Sequence, residues 1–206
     1  MNRLISKISL FIITSFAILI GLYPVAYFIQ ERTFGLLASK PDWLLENLAW
    51  NIFFYIHIIL GGLVLMVGWS QFVPYFRKHY FSVHRAIGKF YYIGVMFSGF
   101  AGLYIAFFAT GGKISQYGFF CLAIAWLYCT RRAFQCIINK EIYEHQKWMI
   151  RSYALTFAAV TLRLWLPLLI GILGLSFIEA YKIIAWLSWI PNILVAELII
   201  SRIKKY

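Results

Sequence analysis

Charged residues are scarce in this sequence, and acidic residues are the scarcest of them. Only 13% of the 206 residues are charged, and seven Asp and Glu side chains stand against nineteen Lys and Arg side chains. Soluble domains have about 25% charged and about 45 to 50% apolar residues, whereas 63% of this chain is hydrophobic. The composition excludes a soluble globular protein and predicts an integral membrane protein that contacts the lipid bilayer.

Reactive side chains in catalytic spacings are also missing. The three cysteines, Cys121, Cys129 and Cys136, form no CxxC pair and show no zinc-site spacing. Their expected placement in the membrane or the cytoplasm argues against disulfides. The sequence contains no phosphate-binding glycine loop and no paired carboxylates, and only one carboxylate, Glu197, lies within an apolar run. Hydrolase chemistry therefore has no support in these residues.

Long apolar runs, by contrast, dominate the chain. Because about 20 residues cross a bilayer, six runs predict an all-α, polytopic bundle of six transmembrane helices in one domain, residues 1–206. The runs are residues 8–30, 47–76, 90–112, 114–130, 152–178 and 183–201. The first run is too long for the apolar part of a signal peptide, so we expect an uncleaved helix. It carries Tyr23 and Tyr27 near its outer end and is expected to anchor and to pack.

The distribution of Lys and Arg predicts the topology. With the N-terminus inside, most basic residues are cytoplasmic, Arg163 is intramembrane, and only Arg32, Lys40, Lys113 and Lys182 lie outside. The cytoplasmic group comprises Arg3, Lys7, Arg77, Lys78, Arg85, Lys89, Arg131, Arg132, Lys140, Lys147, Arg151, Arg202, Lys204 and Lys205. We therefore expect a multi-pass protein of the cytoplasmic (inner) membrane with both termini inside. The net charge of +12 reflects this basic face and not a nucleic-acid partner.

An arginine within an apolar helix marks the first candidate site. Arg163 follows Arg151 by about 18 Å of helical rise, which puts it in the outer half, near the depth of His57. An intramembrane charge normally faces the bundle interior and has a partner or a function. Arg163, His57 and Asn192 are therefore predicted to form an outer-half catalytic or substrate site. The alternative is a structural arginine that bonds the Asn192 side chain and backbone carbonyls freed near Pro167.

Two further histidines mark a second candidate site. His84 and His145 stand at the cytoplasmic starts of the third and the fifth helix, so we expect them at equal depth. Two imidazoles on neighbouring helices can ligate a haem iron from both faces, and Arg85 and Arg151 would then hold the propionates. The residues thus suggest haem b with His84 and His145 as the metal ligands. The alternative is that both histidines bond lipid headgroups or helix ends.

Three segments of the chain resemble a known family. They are HRAIG at residues 84–88, HQKWMIRSYALTFAAVTLR at residues 145–163 and WLSWIPNILVAE at residues 186–197. They look like the bacterial membrane family named domain of unknown function 2306, and the likeness covers the second to the sixth predicted helix. By analogy, the small bundle is similar to membrane b-type cytochromes and ferric reductases. The analogy implies haem binding and electron transfer, whereas the family itself implies no activity.

The leading hypothesis is a membrane oxidoreductase. It would pass electrons from quinol or a reduced carrier at the inner face outward to ferric iron or a similar acceptor. His79 lies in a loop beside His84, so the outer half has only His57. A haem at His57 would need a non-histidine ligand or a second subunit, as in a homodimer. The competing hypotheses are a cofactor-free transporter or binding protein for an anionic or protonatable small molecule, and a structural subunit of a membrane complex.

Overall fold

The computed structural model describes residues 3–32 and 34–203, with the side chains of residues 8–32 and 34–203. Every element in these ranges is helical, and no strand occurs in them. Four basic residues assigned to the cytoplasmic face are affected by these limits. Lys204 and Lys205 lie outside the described residues, and the side chains of Arg3 and Lys7 lie outside the described side chains.

Eleven α-helices make up the described part of the chain. They are α1 (Arg3–Leu22), α2 (Ala26–Ile29), α3 (Asp42–Leu45), α4 (Leu48–Gly68), α5 (Pro74–His79), α6 (Phe81–Ala106), α7 (Lys113–Ile138), α8 (Ile142–Thr156), α9 (Ala158–Gly171), α10 (Phe177–Leu187) and α11 (Ile190–Ile200). Short 3-10 segments occupy Tyr23–Val25, Gly35–Ser39 and Trp69–Phe72. The described residues form six long helical units. Some are single helices, such as α6 and α7, and others join consecutive helices with little interruption, such as α8–α9 and α10–α11.

Five of the long units are long and apolar enough to cross a membrane. They are Ile8–Ile29, Leu48–Phe72, Phe81–Ala106, Ile142–Gly171 and Phe177–Ile200, which makes this a multi-pass membrane protein. The remaining unit, α7, has 26 residues, but its polar residues, among them Gln116, Arg131 and Arg132, lower its mean hydropathy. The predicted run of residues 114–130 is the N-terminal part of this helix, which continues to Ile138.

The fifth and the sixth long unit are each interrupted, and their interruptions lie side by side. The helix that the sequence predicts from His145 onward is interrupted at Phe157, between α8 and α9. Here Asn192 Nδ2 donates to Ala154 O at 3.1 Å and to Thr161 Oγ1 at 3.2 Å. Thr161 Oγ1 in turn donates to Ser188 O at 2.5 Å, where α10 ends. These side-chain hydrogen bonds join the two interrupted units to each other.

Glycines let several helices approach closely. A Cβ atom on Gly62 of α4 would lie 2.5 Å from the carbonyl oxygen of Gly21 on α1, and a Cβ atom on Gly118 of α7 would lie 2.8 Å from Cβ of Ala185 on α10. Both distances are too short for any larger residue. Small residues at such contacts are the usual means by which membrane helices pack, because lipid provides no hydrophobic force between them.

A buried network of hydroxyl groups joins α6, α7 and α8 in the centre of the core. Tyr91 Oη lies 2.9 Å from Ser152 Oγ and 2.7 Å from Thr156 Oγ1. Trp126 Nε1 donates to Thr156 Oγ1 at 2.8 Å, and Thr130 Oγ1 lies 2.6 Å from Ser152 Oγ. Because bonded buried hydroxyls tolerate little displacement, the network sets the height of α6 relative to α8.

Candidate functional site

The hydroxyl network also relates the positions of His84 and His145. His84 precedes Tyr91 by seven residues on α6, and His145 precedes Ser152 by seven residues on α8. Seven residues are close to two helical turns and about 10.5 Å of rise, so each histidine shares a face with its bonded neighbour. The two helices run in the same direction, and the structure therefore brings His84 and His145 to one depth. They are near enough for a charge on His145 to act on His84.

The imidazole of His145 is held by a backbone carbonyl. His145 Nδ1 lies 2.8 Å from Ala133 O on α7. A carbonyl oxygen only accepts hydrogen bonds, so Nδ1 carries the proton, and Nε2 of the neutral ring keeps its lone pair. Metal-binding histidines typically show this arrangement, because the bond at one nitrogen orients the other toward the metal.

The imidazole of His84 is in a different state. Its Nδ1 atom is buried and has no hydrogen-bond partner among the described residues. Its ring is stacked against Phe81, with 6.3 Å between the ring centroids. Buried polar atoms are nearly always hydrogen-bonded. The Nδ1 atom of His84 is therefore an exception among the described residues, and it is available to bind a further group.

The two basic residues predicted to hold propionates differ in their surroundings. Arg151 Nε and Nη2 bond Glu197 Oε1 and Oε2 at 2.6 and 2.8 Å, and its guanidinium lies 4.5 Å from the ring centroid of Trp148. Arg85 lies over the ring of Phe81 at 5.8 Å and forms no ion pair with any described residue. Arg151 thus ties α8 to α11, while the charge of Arg85 stays uncompensated within the described residues.

His57 lies where α4 meets α6. Its Nδ1–H donates to Ser98 O at 2.9 Å, and Ser98 Oγ donates to His57 O at 2.9 Å. A Cβ atom on Gly102 would lie 3.0 Å from His57 Nδ1, so this glycine makes room for the imidazole. The ring is therefore fixed, and its Nε2 atom forms no hydrogen bond to the described residues.

Arg163 forms no hydrogen bond with either of its predicted partners among the described residues. Its Nη1 atom donates to Ala159 O at 2.9 Å, and its guanidinium lies 4.4 Å from the ring centroid of Tyr23. Asn192 bonds the interrupted helices instead. No direct hydrogen bond joins Arg163, His57 and Asn192, which were predicted to form one site. The bond between Arg163 and Asn192 that the alternative predicted is not formed either.

Three tyrosines near Arg163 were missed by the sequence reasoning. Tyr23 contacts the guanidinium, and the phenols of Tyr27 and Tyr181 lie near enough to interact with its charge. One signal was present, because Tyr23 and Tyr27 are four residues apart, as side chains on one helical face are. The first long unit therefore supplies polar groups to the surroundings of Arg163.

Two cavities in the described part of the chain are lined by other residues. One, of about 340 Å³, is lined by Arg132, Gln135, Ile138 and Asn139. The other, of about 450 Å³, is lined by Arg32, Asp42, Leu45, Glu46, Leu48, Asn51 and Tyr55. Within residues 3–32 and 34–203, no three His, Cys, Asp or Glu side chains cluster as metal ligands. His84 and His145 therefore have no third side chain of these types beside them within these ranges.

Comparison with known proteins gives one match. The family model described as a predicted membrane protein (DUF2306) matches residues 54–200. The match extends from α4 to α11 and includes His57, His84, His145 and Arg163. No curated protein and no solved structure is significantly similar to the chain.

Proposed function

The chain belongs to this family of predicted membrane proteins, and we propose that it is a membrane-embedded electron-transfer protein that binds haem b between His84 and His145. One observation carries the proposal: two imidazoles lie at one depth on parallel helices, and His84 keeps a buried nitrogen without a partner among the described residues. A haem iron takes axial ligands of this type and supplies reversible one-electron chemistry.

The residues around the two imidazoles fit this role. The carbonyl of Ala133 holds the His145 ring through Nδ1 and leaves Nε2 to coordinate iron. Arg85, one residue after His84, offers an uncompensated guanidinium to a propionate, and guanidinium and carboxylate groups form strong paired hydrogen bonds. Arg151 contributes positive charge nearby but bonds Glu197, so its contact with a propionate would require that ion pair to open.

The proposal includes a sixth membrane crossing by α7, with both termini in the cytoplasm. Its 26 residues span about 39 Å, which exceeds the roughly 30 Å of the hydrocarbon core. Helix α7 packs against α6, α8 and α10, so its polar side chains can face protein. With this topology the histidine pair lies on the inner side, where quinol or a reduced carrier would donate electrons that pass outward to an acceptor such as ferric iron.

An absorption spectrum tests the proposal directly. Protein purified from haem-supplied cells should show haem bands that sharpen on reduction with dithionite, and His84→Ala and His145→Ala should each abolish them because one axial ligand is lost. His79→Ala is the matched control, since His79 is exposed on α5 and its Nδ1 bonds Tyr75 O. A correctly folded wild-type protein without haem bands would exclude the proposal.

A cofactor-free transporter or binding protein is the second candidate. The observation that favours it is Arg163, an intramembrane arginine without an acidic partner among the described residues. A colourless protein that binds an anion through Arg163 would support this candidate over the haem protein.

A further inference from the structure

The surroundings of Arg163 form a second site that haem binding would not use. Helical rise places three of its members within about 6 to 12 Å of the outer ends of their helices. Arg163 lies eight residues, or about 12 Å, before the end of α9 at Gly171, and Tyr181 lies four residues, or about 6 Å, after the start of α10. Tyr23 lies six residues, or about 9 Å, before the end of the first span at Ile29.

Most of the hydrogen-bonding capacity of Arg163 is unused. A guanidinium has five N–H donors, and among the described residues its acceptor is Ala159 O. The guanidinium carbon lies 4.4 Å from the ring centroid of Tyr23, a cation–π contact that supplies no hydrogen-bond acceptor to its N–H groups. An intramembrane guanidinium without a counter-ion is strongly unfavourable. The free N–H groups therefore indicate an acceptor that carries negative charge.

A segment of the outer loop covers this group of side chains. Gly35 has a φ of +59°, and a Cβ atom at this position would lie 3.2 Å from Tyr23 Oη and 3.4 Å from Tyr27 Oη. The backbone of the loop thus passes directly over two phenol oxygens. Leu36, the next residue, packs against both the apolar cluster around Tyr27 and the apolar cluster around Tyr181. Loop backbone and apolar side chains thus cover the phenols of Tyr27 and Tyr181, while Arg163 itself is half-buried.

We propose that Arg163, Tyr23, Tyr27 and Tyr181 form an outer-half binding site for a small carboxylate anion. Two N–H groups of a guanidinium match the two oxygens of a carboxylate, and phenol hydroxyls donate further hydrogen bonds. A single arginine neutralises one negative charge, so a monocarboxylate leaves the site neutral, whereas a doubly charged phosphate would leave an uncompensated charge. The site does not depend on haem.

Thermal unfolding of the purified protein in detergent tests the proposal. Benzoate at constant ionic strength should raise the midpoint of unfolding in a saturable way, because a ligand of the folded state stabilises it. Benzamide, which has the same shape without the charge, should not. Arg163→Gln should weaken benzoate binding at least about tenfold, since it removes one partner of the charge pair. Arg32→Gln is the matched control, because this outer arginine bonds Leu45 O and Asn51 instead.

Two additional measurements separate a loss of binding from a loss of folding and identify the source of the carboxylate. Tyr23→Phe retains the ring beneath the guanidinium and removes only a hydroxyl, so it should fold and weaken benzoate binding even if Arg163→Gln does not fold. Laurate in lipid nanodiscs tests whether the carboxylate comes from the bilayer and not from the outer solution. Equal benzoate responses in the wild type, Arg163→Gln and Tyr23→Phe, or no saturable response to either acid, would overturn the proposal. His84→Ala should leave benzoate binding intact, which separates this site from the haem.

Discussion

Tyr91 gives the most direct test of how the helices are held together. Its hydroxyl bonds Ser152 Oγ at 2.9 Å and Thr156 Oγ1 at 2.7 Å, and the ring is almost completely buried. Tyr91→Phe removes both bonds and leaves the packing of the ring unchanged. Hydrogen bonds between membrane helices contribute about 0.6 kcal/mol on average and up to about 1.7 kcal/mol. The loss of two bonds should therefore lower the free energy of unfolding by about 1 to 3 kcal/mol.

The neighbouring residue provides the control for this experiment. Tyr92 stacks on Phe134, with 4.1 Å between the ring centroids, and its hydroxyl bonds no described residue. Unfolding in mixed micelles with increasing dodecyl sulfate should show a clear loss for Tyr91→Phe and a change within about 0.5 kcal/mol for Tyr92→Phe. A double-mutant cycle with Ser152→Ala should give a coupling energy of at least about 0.5 kcal/mol. Equal losses at both tyrosines, or no coupling, would refute the reasoning.

Two other predictions use the same unfolding assay. Gly62→Ala should lower stability by about 1 to 3 kcal/mol, because its Cβ atom would lie 2.5 Å from Gly21 O. Gly61→Ala is the control, since the nearest atom to its Cβ would be Ser98 Oγ at 3.2 Å. Equal effects of the two alanines would contradict the close approach of α1 and α4. Burial lowers the pKa of Lys40 to about 8 from its ordinary value of 10.5. Between pH 8 and 10.5 the unfolded chain therefore binds more protons than the folded chain. Over this range the stability of the wild type should rise with pH relative to that of Lys40→Met. Parallel pH profiles for the two proteins would show that Lys40 is not buried.

The two proposed sites lie at opposite depths of one interrupted helical unit. His145 and Arg163 are eighteen residues apart, or about 27 Å by helical rise, so no small ligand touches both. The α8–α9 unit instead connects the pair of imidazoles with the guanidinium of Arg163. Its interruption at Phe157 lies between them and is bonded to α11 through Asn192. Asn192 thus acts on the helix that joins the two sites, whereas the sequence predicted that it would belong to one of them.

Several features of this protein follow from its sequence alone. Hydropathy and length predict membrane-crossing helices. A chain in lipid must bond its backbone groups internally, and the side chains that face the lipid must be apolar. The same local properties mark Arg163 as unusual, since a charge within an apolar run is unfavourable wherever it lies. The segments that match the family are also local, and they carry His84, His145 and Arg163.

The pairing of side chains was decided only by the tertiary structure. Helical periodicity predicts which residues share a face, but the partner of that face depends on how each helix is rotated and how deep it lies. Tyr91 bonds Ser152, and Arg163 lies over Tyr23 while Asn192 bonds Ala154 and Thr161. Close packing at glycines and hydrogen bonds between distant segments determine these rotations. The polar side chains of the sequence therefore became sites only through contacts between helices far apart in the chain.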